Sequence, residues 1–599
     1  MIQLSDYVMN FLAQKKVEHI FMVSGGGGMF LIDSLGRSKD IKYVCNHHEQ
    51  ASVMSAEGYQ RVDGKLGVAL VTTGPAATNA ITGVVCAWND SIPLLVLSGQ
   101  ANSNFLIGDT KLRQRGTHEV NIKKIVESVT KYAVTVTDEN TIRYHLEKAY
   151  FLAHHGRPGP VWLDIPVNIQ SKNIDVDSQV SFSPEAENIL RKPLIDLENV
   201  KIIAELLKKS KRPIIIAGHG IKLGKAEKVF LDFIENYQIP IVTTKNAFDL
   251  VYHEHKMLAG RIGTYGQRSG NFAVQNSDLV LSIGARLPFT TVGYQTELFA
   301  RDAKKIIVDI DPEQLKYSTI KADIKLEADC VEFVEKLDFV LNNSIIGNSE
   351  WLEKCAHWRK KYPAVIPEME KEGDLVNSYY FFKILSNVLE KDDIVVTDQG
   401  ASFYASTVAY EIKPGQKLFT NGGFSPMGYG LPAAIGACFA NNNNRVISVN
   451  GDGGLELNIQ ELQTIVHYNL PIKLFVFNNQ GYLSIKHTQN AYFDGFFVGC
   501  DASSGVSLPD FKKIATAYGM SSVQISNQTN LAEQISEAIK KPGPMIIEIM
   551  MDPMQPFMPR VTTEKKADGR LVSKPLEDMW PFLDREEFKK EMIIKPVEE

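Results

Sequence analysis

Nothing in the sequence marks a disulfide framework, a nucleic-acid surface or a membrane span. Six cysteines are scattered over 599 residues with no CxxC pair. That excludes a disulfide scaffold or cysteine-rich metal site and leaves reduced packing residues. Lys and Arg number 64 against 70 Asp and Glu, a formal net charge of −6, so there is no basic footprint for nucleic acid. Charged residues interrupt every long apolar run, and no basic-plus-apolar leader opens the chain. The expectation is a cytoplasmic protein, neither secreted nor membrane-spanning. The length suits roughly three or four domains.

What is present is repeated alternation of short apolar runs with amphipathic helical patterns, the signature of parallel α/β layers. The expected fold is α/β, with three doubly wound parallel-sheet domains. They cover residues 1–180, 190–345 and 365–555, followed by a tail over 556–599. Strand candidates are "HIFMV", "YVCN", "VALVTT", "LLVLSG" and "PVWLDI" in the first, "PIIIAG", "IPIVTT", "DLVLSIG" and "KKIIVDID" in the second, and "VISVNG" and "IKLFVF" in the third. Polar stretches over 171–196 and 342–374 read as connections. The first and third domains share a strand–Gly–helix–Pro–strand pattern: Gly74 to Pro93 spans 19 positions, Gly451 to Pro471 spans 20. This hints at two related modules.

The most informative stretch is "VISVNGDGGLELNIQELQTIVHYNLPIKLFVFNN". Two continuously apolar runs suit doubly covered parallel strands. Leu455, Ile459, Leu462 and Val466 between them have helical spacing. The unit is βαβ with a right-handed crossover expected. It places Asp452 and Asn479 at the carboxyl edge of neighbouring strands, where α/β proteins bind ligands. Gly451, Gly453 and Gly454 admit a ligand close to the backbone. One carboxylate and one amide oxygen suit Mg²⁺, which takes its other ligands from phosphate and water.

Gly-Asp-Gly followed after 24 residues by Asn-Asn resembles the signature of thiamine-diphosphate enzymes, and most of the chain resembles their acetolactate-synthase-like branch. The resemblance implies a metal held by Asp452, Asn479 and the Gly481 carbonyl, bridging to the cofactor's diphosphate. "NHHEQASVMSAEGYQR" resembles the block whose glutamate, here Glu49, exchanges a proton with the aminopyrimidine ring. His47 and His48 beside it read as structural. "VTTGPAATN" resembles a neighbouring block, with Ala76 for a glycine. "VSGGGGMF" resembles the loop framing the reacting carbon, where Gly25 offers a backbone N–H. "TNGGFSPMGYGLPAAIGA" makes Met427 the apolar prop that bends the cofactor. "DQGASFYAS" places Gln399 and Gly400 at the diphosphate. Sites shared between subunits, in a homodimer or homotetramer, are also implied.

The middle domain resembles the FAD-binding domain of acetolactate synthases. Gly218, Gly220, Thr243, Gly284, Arg286 and Asp309 are the implied contacts, with Asp311 an alternative to Asp309. The family's Asp-Asp-Arg is replaced by Pro288-Phe289-Thr290. A flavin there would be structural, since the reaction needs no net electron transfer.

The implied activity is decarboxylation of a 2-keto acid, pyruvate, and transfer of the two-carbon unit to a ketone. The acceptor region departs from acetolactate synthases. A Gln-Trp pair is His487-Thr488, a Met is Ser484, and Phe-Gln-Glu is Thr117-His118-Glu119, with His118 a candidate catalytic group. The tail "PRVTTEKKADGRLVSKPLEDMWPFLDREEF" resembles that of flavin-dependent carboligases making branched, yersiniose-type sugars, whose acceptor is a nucleotide-linked 4-keto sugar. The alternatives are an acetolactate synthase of branched-chain amino-acid synthesis, a flavin oxidase, and a non-catalytic nucleotide-binding Rossmann protein. The last would carry an early Gly-x-Gly-x-x-Gly with an acidic residue about 20 positions later, a combination not found.

Overall fold

Three six-stranded sheets, all parallel, form the body of the protein. The structure is a computed structural model that describes residues 1–190, 195–346, 348–565 and 570–597. Residues 191–194 of the first connection, 347 of the second, and 566–569 and 598–599 of the tail lie outside the described residues.

The first sheet holds strands His19–Met22, Lys42–Cys45, Gly67–Val71, Leu94–Gln100, Tyr132–Thr135 and Pro160–Pro166. In chain order they lie 2-1-3-4-6-5 across the sheet. The third holds Ile394–Thr397, Lys417–Phe419, Val446–Gly451, Ile472–Asn478, Ser521–Ile525 and Met545–Met550, in the same order. The shared local pattern thus belongs to a shared topology. The central sheet differs. Pro213–Ala217, Ile241–Thr243, Leu258–Arg261, Leu279–Ile283, Lys304–Asp309 and Ile324–Glu327 lie 3-2-1-4-5-6, the order of dinucleotide-binding folds. Tyr132–Thr135 is not among the strand candidates: its apolar run, Tyr-Ala-Val, is only three residues long, and all four residues are part-exposed at the sheet edge.

The expected crossover helix after Asp452 is broken. A turn of helix over Asp452–Leu455, a 3₁₀ stretch over Glu456–Glu461 kinked at Asn458 (φ −139°), and Leu462–His467 replace one continuous helix. The apolar spacing survives the kink, which is why the sequence reads as unbroken.

The outer modules touch through Glu49–Asp63 and Gly430–Ala440. A Cβ at Gly58 would clash with the Ala433 carbonyl, and one at Gly436 with that of Ser55. Only bare backbone permits this approach. The connection over 342–374 is more than a linker: helix Ser349–Lys361 buries Trp351 and Trp358 against the central domain. The tail returns to the same surface, burying Leu576, Met579, Phe588 and Met592 there. No helix among the described residues is long and apolar enough to cross a membrane.

Candidate active site

In the third sheet, strand order reverses between Ile394–Thr397 and Val446–Gly451, the switch point where such sheets open a ligand crevice. Each strand is followed by a buried aspartate, Asp398 and Asp452. Asp452 Oδ1 accepts from Gly453 N (2.7 Å) and Oδ2 from Asn479 N (2.9 Å) and Gly481 N (3.2 Å). The carboxylate therefore ties both strand-end loops together. Burial pushes its carboxyl up to about 6 despite these amides. Asn479 is buried, and its Oδ1 has no hydrogen-bond partner among the described residues. A buried amide oxygen without a partner costs about 1–3 kcal/mol, so it needs a ligand. A divalent cation beside Asp452 supplies one and favours the carboxylate. The residues fit Mg²⁺.

Asp398 was not among the expected site residues, although its position after "IVVT" repeats that of Asp452. Its Oδ2 accepts from Gly428 N (3.0 Å) and its Oδ1 from Tyr429 N (3.2 Å). Burial pushes its carboxyl up to about 6. A Cβ at Gly454 would clash with Asp398 Oδ2, which explains the second glycine after Asp452. Asn458 Nδ2 donates to the Gly428 carbonyl (2.7 Å). Half-buried Met427 is thus carried on a loop pinned at its following residues. Gln399 Nε2 donates to Thr420 Oγ1 and the Asn421 carbonyl, each at 3.1 Å, holding the start of that loop. Gly400 (φ +74°) and Gly451 face open space, where a Cβ would meet nothing.

A second residue that the sequence did not announce is Lys486. It is buried, and its Nζ donates to the carbonyls of Asn479 (3.0 Å), Gln480 (3.0 Å) and Pro553 (3.4 Å). The ammonium staples the Asn479 turn from below.

On the first sheet, Glu49 begins helix Glu49–Asp63 and accepts from Asn79 Nδ2 (2.9 Å). Among the described residues it hydrogen-bonds within its own domain and not to the Asp452–Asn479 turn. His48 caps the helix, its Nδ1 accepting from Gln50 N (3.2 Å), the structural role expected. The loop before Glu49 is gripped from the third domain: Glu461 accepts from His47 N (2.9 Å) and Asn46 Nδ2 (3.0 Å). A Cβ at Gly25 would clash with Thr72, and one at Gly27 with Thr73. The glycine loop lies flat on the neighbouring strand end. His118 is exposed with left-handed backbone (φ +58°), its carbonyl lying against Gly74. Glu119 organises this loop by accepting from Arg115 N (3.0 Å), Gly116 N (2.8 Å) and Ile107 N.

The central sheet opens a cavity of about 620 Å³ lined by Gly220, Gly284, Arg286 and Asp309, with Lys245, His219, Asp90 and Gly422. Two expected contacts fall elsewhere. Gly218 packs beneath Gly284, where a Cβ would clash with its carbonyl, and Thr243 is buried in its strand, with Thr244 lining the cavity instead. Asp311 does not line it either; it caps helix Pro312–Lys316 and pairs with Arg157 at 3.0 Å. Burial lowers the pKa of Lys245 to about 8. Asn246 Oδ1 and Asp90 Oδ1 are buried at the wall without partners among the described residues. The crevice, its cations and these open polar atoms fit a dinucleotide.

Two binding modules of one topology, flanking a dinucleotide-type domain, define a class. Residues 2–125, 200–337 and 398–549 match, in turn, the N-terminal TPP binding domain, the central domain and the C-terminal TPP binding domain of thiamine pyrophosphate enzymes. The chain belongs to this family. Over nearly its whole length it is similar to acetolactate synthase large subunits. It shares 30% identity over 581 residues with that of Porphyra purpurea, 95% of each chain. It shares 29% over 558 residues with the isozyme 1 large subunit of Escherichia coli K12, 93% of this chain and 95% of the other. With the probable large subunit of Methanocaldococcus jannaschii it shares 31% over 572 residues, 93% of each. It is a thiamine-diphosphate-dependent enzyme of acetolactate-synthase-like kind.

Proposed function

We propose that this enzyme decarboxylates pyruvate and transfers the two-carbon unit to a ketone. The observation that carries this is the buried Asp452 joined to the turn of Asn479, whose Oδ1 lacks a partner. When bound, thiamine diphosphate supplies the nucleophilic carbon and the electron sink for decarboxylation. Asp452, Asn479 and the Gly481 carbonyl are the residues that would hold Mg²⁺, which would neutralise the cofactor's diphosphate charge. Gly400 and Gly451 line the approach, while Gly453 and Gly454 make room for Tyr482 and Asp398 behind it. Glu49, oriented by Asn79, would exchange the activating proton with the pyrimidine of a bound cofactor. Met427 props the bound cofactor from a pinned loop. The Gly25 N–H and His118 face the reacting end. FAD occupies the central cavity as a structural group. The functional unit is a cytoplasmic homodimer or homotetramer.

Two acceptors have support. The relatives' names favour a second 2-keto acid, giving acetolactate. The side chains of Ser484 and Thr488 favour a larger polar ketone, such as a nucleotide-linked 4-keto sugar. Both lie on helix Leu483–Tyr492, bonded Thr488 Oγ1 to Ser484 O at 3.0 Å, and Thr488 is exposed. A hydroxyl-lined site favours acceptors able to pair with it. The test is product identification from labelled pyruvate with a ketone panel, on protein assayed for extractable FAD. No CO₂ release from pyruvate would refute the donor. Acetolactate as the sole product would refute the larger acceptor. Full activity without FAD would refute the flavin.

A further inference from the structure

A buried charge cluster joins the central cavity to the loop carrying Met427. Asp90 is the last residue of helix Ile81–Asp90, where a carboxylate gains nothing from the helix dipole. It lines the cavity, and its Oδ2 accepts from Gly422 N (3.0 Å) and Arg61 Nη2 (2.6 Å). Arg61 Nη2 also donates to Glu57 Oε1 (2.8 Å). That same oxygen accepts from Asn421 Nδ2 (3.2 Å) and Tyr429 Oη (3.1 Å). Glu57 therefore holds both ends of the loop that contains Met427, while Asp90 holds its cavity end. All three charged side chains are almost wholly buried. Asp90 Oδ1 and Glu57 Oε2 have no hydrogen-bond partners among the described residues. Two carboxylates sharing one guanidinium in a dry site leave the network incompletely satisfied, and such networks respond strongly to a change at any member. Gly422 and Gly423 form part of the cavity wall, and a Cβ at Gly423 would clash with Asp90 Oδ1.

We propose that Asp90, Arg61 and Glu57 are positioning residues that couple occupancy of the central cavity to thiamine diphosphate binding, by fixing the loop Thr420–Tyr429. A ligand against Gly422 and Gly423 settles the Asp90 end. Arg61 passes that order to Glu57, and Glu57 sets the segment on either side of Met427. The inference rests on the reading of the cavity as a flavin site.

Coupling of this kind is reciprocal: each ligand must change the other's affinity by the same factor. Apo full-length protein is titrated with thiamine diphosphate and Mg²⁺, with and without saturating FAD, and then with the order reversed. Tryptophan fluorescence and calorimetry report binding without turnover. The expected factor is about 5-fold or more in both directions. Asp90→Asn removes the charge that Arg61 meets while keeping the shape. Gly423→Ala crowds Asp90 Oδ1 from the loop side, at a backbone conformation that alanine can adopt. In each, the factor should fall to within about twofold of one, with circular dichroism unchanged; should one variant not fold, the other decides. A wild-type factor of one with FAD bound overturns the coupling alone. A wild-type factor retained in the variants overturns the role of Asp90. Failure of FAD to bind at all overturns the flavin reading, and this inference with it.

Discussion

Glu461 and His47, 414 positions apart in the chain, meet through a 2.9 Å hydrogen bond from the His47 amide to Oε1. The 3₁₀ stretch after Asp452 thereby holds the loop that leads into Glu49. Glu461 also accepts from Asn46 Nδ2 at 3.0 Å and Thr464 Oγ1 at 2.7 Å. Replacing it by alanine removes an acceptor from two buried donors, Asn46 Nδ2 and Thr464 Oγ1, and from the part-buried His47 amide, at a cost of about 1–3 kcal/mol. Glu461→Ala should lower the urea midpoint and slow pyruvate decarboxylation, and Glu461→Gln should recover part of both. An unchanged midpoint would contradict this account.

Glu49→Gln keeps the shape and the bond to Asn79 but cannot relay a proton. Turnover should fall roughly 100-fold or more, with fold and cofactor affinity retained. Near-normal CO₂ release would remove Glu49 from the mechanism.

Asp452→Ala deletes the only charged side chain in the proposed metal set. Thiamine diphosphate affinity at ordinary Mg²⁺ should weaken on the order of 100-fold, read by calorimetry. Unchanged affinity would show that the cation is held elsewhere.

Asp164 gives a pH signature away from the cofactor. It is buried beneath Ser98 Oγ (2.6 Å), Thr135 Oγ1 (3.0 Å) and Gln100 Nε2 (3.1 Å), and burial raises its carboxyl to about 6 from 3.8. The folded state therefore holds the proton more tightly than the unfolded chain. Its stabilisation is full below the unfolded value and lost as pH rises through the folded one. Between pH of roughly 4 and 6 this site lowers stability by up to about 1.4 kcal/mol per unit. Asp164→Asn should flatten the stability–pH curve of the apo protein across that window. An identical slope in chemical denaturation would rule the site out.

Thr488→Trp fills space on the exposed face of Leu483–Tyr492. It should suppress transfer to a bulky ketone several-fold more than acetolactate formation, measured as product partitioning. Equal suppression of both would mean that this face does not meet the acceptor.

The positions of Asp452 and Asn479 at neighbouring strand ends are legible because strand-end residues follow directly from apolar runs. The central cavity was legible as glycines at strand ends. Gly218 and Thr243 lie outside the cavity lining, since a strand-end pattern does not say which residue faces the crevice and which packs beneath. Asp398 had the same local signal as Asp452 but was passed over for Gln399 and Gly400. Lys486 and Glu461 leave no local trace, and nothing in the block around Glu49 singles out Glu57 and Arg61. They are ordinary charges on helical patterns, and their burial arises from contacts with distant segments. The broken helix after Asp452 was hidden for a related reason: Glu461 is drawn toward His47 by tertiary bonds that outweigh local periodicity.

The return of the tail to the central domain bears on synthesis. Trp358 and Glu591 share a 2.8 Å bond across 233 positions, and Arg301 meets Glu577 across 276. A ribosome adding about 5–20 residues per second needs on the order of 10 s or longer to cover such gaps. Through that interval the central domain has emerged, but its apolar surface around Phe272 and Trp358 awaits Phe588 and Met592. The nascent chain is therefore most in need of a chaperone after its middle third is out and before this final strap arrives.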